Sequence, residues 1–281
     1  MWELLLVIPQ KPQQNGLRDE GVRMSAEARR RHILEELTST GRVRVAKLAS
    51  ALDVADETVR RDLVALEQDG ELVRVHGGAV TALGPRTYET QLEERIQQHE
   101  QAKLAIAERA YELLPAAGGA VLIDAGSTAL ALAAVLAKKA ATAKFSIVTN
   151  SVAAVSIFSE RPDLSVYLIG GPVRAITQSV VPFDAASQLD QIRVDVAFLG
   201  TNGCSTGHGF STPGPDEAAI KRAFIASARQ RYVLVDETKF GAEFTHRFAG
   251  LEEVDGIVTD AAPDQRLLRA LREAGTEVLF T

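Results

Sequence analysis

The chain is poor in the features that mark several protein classes. It has one cysteine, Cys204, in 281 residues, which leaves no disulfide framework and no cysteine-rich metal site. It has no excess of positive charge. Lys and Arg number 31 against 37 Asp and Glu, a formal net charge of −6, and the pI is about 5.5. That balance argues against a protein held on nucleic acid by a broad electrostatic field. Long apolar runs are missing too. Trp2 to Ile8 is too short to span a bilayer. It also lacks the basic n-region and small-residue cleavage site of a signal peptide, and no later segment is apolar enough for a span. These absences point to a reducing cytoplasm, with no membrane partner, metal or cofactor expected.

What is present is ordinary for a soluble protein: 46% hydrophobic and 24% charged residues, in a chain long enough for two domains. Residues Pro9 to Gly16 are polar linker material. Met24 opens a sequence that starts a helix at once, so residues 1–23 read as a disordered extension upstream of the biological start.

Residues 24–80 read as one small domain. Ile33, Leu34 and Leu37 share one face of a first helix over 26–39, ended by Gly41. Val45, Leu48, Ala49 and Leu52 follow at helical spacing. Asp53-Val54-Ala55 makes a tight turn. Val59, Leu63 and Leu66 then repeat over a third helix, with Gly70 as its C′ residue. Two short helices joined by such a turn form a helix-turn-helix, whose second helix enters the major groove. Thr58, Arg60 and Arg61 sit near the start of that helix, where side chains meet base edges. Arg can bond a guanine edge through two donors. Leu72 to Val75 has strand character and carries Arg74 and His76 onto a wing, with Gly77-Gly78 permitting a sharp exit. Yet residues 24–80 hold nine basic and ten acidic side chains. DNA affinity must come from placement rather than from the sum. The bland alternative is a three-helix bundle with solvated arginines.

Residues 81–95 hold Gly84-Pro85 and no core period, and read as an interdomain linker. Over 96–281 the pattern predicts a long helix from Ile96 to Leu114, with Leu104, Ile106 and Ala107 facing inward. Strand-length apolar runs then alternate with helical stretches. The strands are 120–123, 145–149, 166–169, 194–199, 232–235, 256–259 and 277–280. The helices are 128–137, 152–160, 183–191, 215–229 and 263–274. The fold class is therefore α/β: an N-terminal winged helix-turn-helix and a C-terminal domain with a mostly parallel sheet covered on both faces.

Ligands of such sheets bind outside the carboxyl ends of the strands. Those ends here gather Asp124, Gly126, Ser127, Thr128, Asn150, Gly171, Arg174, Asn202 and Lys239. Gly126-Ser127-Thr128 opens a helix, so its amides and hydroxyls can cradle a phosphate. Arg174 and Lys239 add opposite charge, and Asp124 and Asn202 suit sugar hydroxyls. Each element alone has a bland reading. Asp236 is a cap, Glu217 and Lys221 an i, i+4 surface pair worth about 0.3–0.5 kcal/mol, His208 a loop residue and Cys204 an inert thiol. Their convergence on one edge favours a binding site.

Several of these segments resemble one family closely. Thr58-Val59-Arg60-Arg61-Asp62-Leu63, Leu66-Glu67, Gly70, Leu72 and Arg74-Val75-His76-Gly77-Gly78-Ala79 are similar to the signature of the DeoR family of bacterial transcription regulators. Asp124-Ala125-Gly126-Ser127-Thr128, Thr149-Asn150-Ser151, Gly170-Gly171-x-x-Arg174, Gly200-Thr201-Asn202-Gly203, Glu217-x-x-x-Lys221-Arg222 and Lys239-Phe240-Gly241 resemble its sensor domain. That domain is similar in fold to ribose-5-phosphate isomerase. Val194–Gly203 with His208 to Pro213 looks most like the fructose-operon repressors of actinobacteria. Three positions depart from the family pattern. Ala55 and Arg44 stand where small hydroxyl residues are common before the third and second helices, and Val181-Pro182 stands where Gly-Pro is common. Arg44 adds a charge that can reach a DNA phosphate.

The resemblance implies a repressor of sugar-uptake or catabolic genes, bound to double-stranded operator DNA as a homodimer or homotetramer. A phosphorylated sugar such as fructose 1-phosphate would release it. Arg44, Thr58, Arg60, Arg61, Arg74 and His76 would hold DNA. Gly126, Ser127, Thr128 and Arg174 would hold the phosphate, and Gly171 belongs to the same effector-binding set. Asp124, Asn150, Asn202, Glu217, Lys221 and Lys239 would read the sugar or close the site. Two alternatives remain: a phosphosugar isomerase with a DNA-binding appendage, using Asp124 or Glu217 as base, and a constitutive DNA binder with a degenerate sensor.

Overall fold

The computed structural model describes residues 24–40, 42–69, 71–75, 77–81, 91–116, 118–139 and 144–281. The expectations placed on residues 1–23, on Gly70 and His76, and on most of the stretch 81–95 lie outside the described residues.

The N-terminal unit is three helices and a small sheet. Helices α1 (Ala26–Thr40), α2 (Val45–Ala51) and α3 (Asp56–Gln68) enclose one core built on Ile33, Leu37, Leu48, Val59, Leu63 and Leu66. The helix-turn-helix period is thus fulfilled. Asp53 takes the tight turn at φ 51°, a left-handed conformation that Asp tolerates better than most residues. Ala55 is the N-cap of α3 and supplies no side-chain bond. Asp56 does not take over as cap. It and Glu57 fill the first turn instead, where negative charge suits the helix dipole. Strands β2 (Leu72–Val75) and β3 (Gly78–Thr81) form the wing. A third strand, β1 (Arg42–Arg44), pairs antiparallel with β3. It was not expected from sequence, because three residues give no readable period. A Cβ at Gly78 would lie 1.9 Å from the Val43 carbonyl oxygen, so glycine is what allows β1 to close on the wing.

The C-terminal unit opens with α4 (Leu92–Gln97) and α5 (Glu100–Tyr111). The single helix expected from Ile96 to Leu114 is broken, because His99 adopts φ 52° between the two pieces. Ile106 and Ala107 face inward as expected, but Leu104 is 50% exposed and does not.

The sheet follows: β4 (Gly119–Ile123), β5 (Phe145–Thr149), β6 (Ser165–Leu168), β9 (Val194–Gly200), β12 (Ala228–Val235), β14 (Gly256–Thr259) and β15 (Glu277–Phe280). All seven are parallel, in the order β15-β14-β12-β9-β4-β5-β6. Side chains alternate between two cores. Val121 and Ile123 pack with α5, α6 (Ser127–Lys139) and α7 (Val152–Phe158). Leu122 faces the other way, toward the layer of α8 (Ala185–Leu189), α9 (Pro215–Ser227) and α10 (Gln265–Glu273).

Two small antiparallel additions escaped the sequence reading. The hairpin β7 (Val173–Arg174) and β8 (Ser179–Val180) follows β6. Strands β10 (Gly203–Ser205), β11 (Gly209–Thr212) and β13 (His246–Ala249) form a separate sheet beside α9. Within the main sheet, the chain winds one way from β4 through β5 to β6. It winds the other way from β9 through β12 and β14 to β15. The reversal falls between β4 and β9, and the crevice at their carboxyl ends is a topological switch point.

Candidate DNA interface and effector site

On α3 the expected DNA-facing residues are grouped as the helix period requires. Thr58 is half-buried, while Arg60 and Arg61 are exposed. Both arginines lie close to acids on their own helix. Arg60 is 3.9 Å from Asp56 and 3.7 Å from Glu57, and Arg61 is 3.7 Å from Glu57. Arg74 on β2 is held more firmly. Its Nε donates to Glu67 at 2.7 Å and its backbone N–H donates to the same carboxylate at 2.9 Å. Those two bonds hold the Glu67 carboxyl below the usual range. Arg44 is exposed at the end of β1, opposite Gly78 at the wing tip, and no acid lies within ion-pair distance among the described residues.

Arg29 and Arg30, upstream on α1, converge on the buried Asp62 at 2.5 and 3.3 Å. That pairing ties α1 to α3 and was not foreseen. Among the expected DNA-contacting arginines, Arg60, Arg61 and Arg74 thus lie beside an acid and Arg44 does not.

At the switch point the network is tight. Asp124 follows β4 and is 2% exposed. Its Oδ2 accepts from the Gly200 N–H at 3.0 Å, spanning the crevice to the end of β9. The same oxygen pairs with the Lys221 ammonium, which also donates to the Gly200 carbonyl at 2.9 Å. Burial pushes the Asp124 carboxyl up, against the pull of Lys221 and the Gly200 amide. The i, i+4 pairing considered for Glu217 and Lys221 does not form, since both side chains turn inward to other partners. Glu217 is 8% exposed; the Thr212 hydroxyl donates to it at 2.7 Å and Arg174 lies 3.6 Å away. The Asn202 side chain meets the same Thr212 hydroxyl at 3.1 Å. One contiguous chain of contacts thus joins Asp124, Lys221 and Gly200, and a second joins Arg174, Glu217, Thr212 and Asn202. The Asp124 carboxyl also feels the Glu217 charge.

Asn150 is 1% exposed and acts as a clamp. Its Oδ1 accepts from the Ala125 N–H at 2.9 Å and its Nδ2 donates to the Val180 carbonyl at 3.2 Å. It thereby fixes the Gly126 turn and the β7–β8 hairpin to the end of β5. Gly171 has φ 151° and a Cβ there would lie 2.9 Å from Pro182, so its place in the site is that of a tight turn. Ser127 and Thr128 are 7% exposed at the first turn of α6.

Beside this turn stands a cationic group that sequence reading caught only in part. Arg95 on α4 lies next to Gly126, its Nη2 3.8 Å from where a Cβ would be. Lys103 on α5 is buried and donates to the Arg95 and Gln98 carbonyls. Burial lowers its ammonium to about 8; Asp236 raises it, while Lys239 and Arg95 lower it further. Lys239 sits 3.6 Å from Asp236. Burial alone would raise Asp236, but Lys239, Thr238 and Lys103 together hold its carboxyl below the usual range. Asp236 also caps the following 3₁₀ turn, as expected. In the sequence Arg95 reads, with Leu92, as the end of a linker beginning to dock, and Lys103 as one member of a long helix. The break at His99 divides them between α4 and α5, and Lys103 bonds back across it to the Arg95 and Gln98 carbonyls.

Among the described residues no group of three metal-ligating side chains is found, and no helix is long and apolar enough to cross a membrane. Burial raises the Cys204 thiol to about 12, in keeping with an inert core residue.

A winged helix-turn-helix joined to an α/β domain with a polar switch point defines a DNA-binding transcription regulator with a sensor module. Comparison with known proteins agrees. Residues 29–82 match the DeoR-like helix-turn-helix domain and residues 98–261 match the DeoR C terminal sensor domain. The chain belongs to the DeoR family. It is 37% identical over 229 residues to the uncharacterized HTH-type transcriptional regulator FruR of Bacillus subtilis strain 168, covering 82% of this chain and 89% of that one. It is 34% identical to the HTH-type transcriptional regulator GlpR of Haloferax volcanii, covering 89% and 96%. It is 30% identical to the lactose phosphotransferase system repressor of Streptococcus mutans, covering 87% and 96%. Among solved structures, ribose 5-phosphate isomerase A from Methanocaldococcus jannaschii aligns at 19% identity and TM-score 0.38, over 51% of this chain and 55% of that one.

Proposed function

We propose that this chain is a repressor of sugar-uptake or catabolic genes whose grip on operator DNA is released by a phosphorylated sugar, with fructose 1-phosphate the first candidate. The observation that carries the reading is the switch-point crevice. A helix N-terminus with two hydroxyls, Ser127 and Thr128, faces the neighbourhood of Arg95, Lys103 and Lys239, which is the chemistry a phosphate requires. Arg174, Glu217 and Asn202 line up beside it through Thr212 and supply the mixed donors and acceptors that sugar hydroxyls need. Asp124 and Lys221 are buried and paired, so in this reading they set the distance between β4 and β9 rather than touch solvent. One relative supports the sugar connection by name, the lactose phosphotransferase system repressor of Streptococcus mutans.

On the DNA side, Arg44, Thr58, Arg60, Arg61, Arg74 and His76 would make the operator contacts. Two copies would present two recognition helices to half-sites about one helical turn apart. An isomerase would need a carboxylate free to take a proton, and both candidates are engaged, Asp124 by Lys221 and the Gly200 amide and Glu217 by the Thr212 hydroxyl and Arg174. Calorimetric titration of the protein with a panel of sugar phosphates tests the reading. Saturable binding of at least one, without turnover, is expected. Turnover at enzyme-like rates would replace the repressor with the isomerase. Failure of every sugar phosphate to bind would leave a constitutive DNA binder.

A further inference from the structure

A second charged concavity lies at the amino ends of β9 and β12, the opposite edge of the sheet from the switch point. It has a volume of about 490 Å³ and is lined by Arg193, Arg222, Arg231, Phe248 and Glu253, with Ala226 at its rim. In a chain of net charge −6, three guanidinium groups face one lining carboxylate, Glu253, and a second carboxylate, Asp255, pairs with Arg231, which leaves a local excess of positive charge carried by Arg193 and Arg222. Each arginine is anchored by a single nitrogen. Arg193 donates to the Ala226 carbonyl at 2.8 Å, on the last turn of α9. Arg222 donates to the Arg247 carbonyl at 2.9 Å. Arg231 donates through Nε to Asp255 at 2.9 Å. A guanidinium has five N–H donors, so most of each fork is left for another acceptor while its position is fixed. Planar forks held from behind are the arrangement that recognises phosphate oxygens in pairs.

We infer that this cavity is a second anion site, for a small molecule carrying one or more phosphate groups, separate from the effector site. Its floor connects the two. Phe248 lines the cavity, and its ring centroid lies 5.3 Å from the ammonium of Lys221, the residue that pairs with Asp124. Arg222 is the chain neighbour of Lys221 on α9. An anion that draws Arg222 outward acts on the same turn of helix that closes the switch point. Occupancy of the second site is thereby coupled to the effector's affinity, and the coupling is reciprocal. This coupling rests on the reading of the switch point as effector site, whereas the binding itself does not.

The test uses the full chain and calorimetry with inorganic phosphate and pyrophosphate at matched ionic strength. Three variants are compared with the parent: Arg193→Ser with Arg222→Ser, Arg193→Lys with Arg222→Lys, and Ser127→Ala. The expected result is a phosphate or pyrophosphate event that weakens tenfold or more in the serine pair. It weakens less in the lysine pair, which keeps the charge and loses the fork, and persists in Ser127→Ala. Unchanged binding in the serine pair would overturn the site, provided the pair unfolds at the parent's temperature. The lysine pair serves if it does not. Loss confined to Ser127→Ala would assign the event to the effector site and overturn the proposal. A serine pair that changes oligomeric state while phosphate never binds would make the face a protein contact, and would also overturn it. Coupling is read from the sugar-phosphate midpoint with and without saturating pyrophosphate. A shift of threefold or more supports it, and an unchanged midpoint removes the coupling while leaving the site.

Discussion

At the scale of single residues, paired charge is the controlling theme. Lys221 is 2% exposed and neutralises an equally buried Asp124. Removing one partner leaves a buried charge alone, at a typical cost of about 3–5 kcal/mol. Lys221→Met should therefore lower the unfolding free energy by about that amount, and adding Asp124→Asn should recover much of it. Denaturant titration of the two variants checks this, and equal destabilisation by single and double variants would break the account.

Lys103 gives a pH signature. Its folded pKa of about 8 lies below its ordinary 10.5. A depressed folded pKa contributes stability that is fully present above the unfolded value and lost as pH falls through the folded one. The parent should thus gain stability relative to Lys103→Met as pH rises from about 8 to about 10.5, by no more than about 3 kcal/mol. A flat difference over that window would mean that the ammonium is not desolvated. On the recognition helix, Arg60→Ala should abolish specific operator binding and leave sugar-phosphate binding intact, since Arg60 is exposed and makes only long contacts with Asp56 and Glu57. Glu67→Gln should strengthen operator binding severalfold in an anisotropy titration. The amide can still accept the Arg74 backbone N–H while releasing the Arg74 side chain.

At the scale of elements, the long periodic segments were legible in the sequence and the short ones were not. Val59, Leu63 and Leu66 fix α3 because a helix repeats its buried face every three to four residues. The seven strands of the sheet were legible because each holds a short apolar stretch bounded by polar turns. But β12 starts at Ala228, inside the expected helix 215–229, because α9 ends at Ser227 and the polar Arg229-Gln230-Arg231 hid the strand's first half. Strand β1 and the β7–β8 hairpin carry two or three residues each, too few for any period. The α4–α5 break was hidden for another reason. Nothing in Ile96 to Leu114 announces a left-handed His99, and the two carbonyls freed there are satisfied by Lys103, a tertiary contact that sequence spacing does not reveal. The candidate site shows the same division. Its strand-end positions could be read from the order of runs and turns. That Glu217 and Lys221 turn inward to Arg174 and Asp124 depends on where α9 lies against β9. The wing offers a test of this scale: Gly78→Ala must push against the Val43 carbonyl at 1.9 Å, so β1 should separate from β3. Operator affinity should fall while sugar-phosphate binding is unchanged, measured by anisotropy and calorimetry on the same preparation.

At the scale of the whole molecule, the DNA-binding domain is a poor electrostatic binder alone. Its acids and bases nearly cancel, and Arg60, Arg61 and Arg74 each lie beside a carboxylate. Affinity would then depend on two copies presented at the right spacing, which a sensor can alter without touching the recognition helix. An effector can act only by binding the DNA-competent and incompetent states unequally. The helix α4, the first described element after residue 81, carries Arg95 beside Gly126 and is bonded through Leu92 N–H to the Ile176 carbonyl of the β7–β8 hairpin. It is the element best situated to report the state of the crevice toward the other domain. The most direct test is a complex of the full-length protein with its operator, titrated with sugar phosphates and followed by fluorescence anisotropy. The account predicts release by at least one sugar phosphate at concentrations where the unphosphorylated sugar does nothing, with Ser127→Ala remaining bound throughout. Operator binding indifferent to every sugar phosphate, or a Ser127→Ala variant released as readily as the parent, would contradict it.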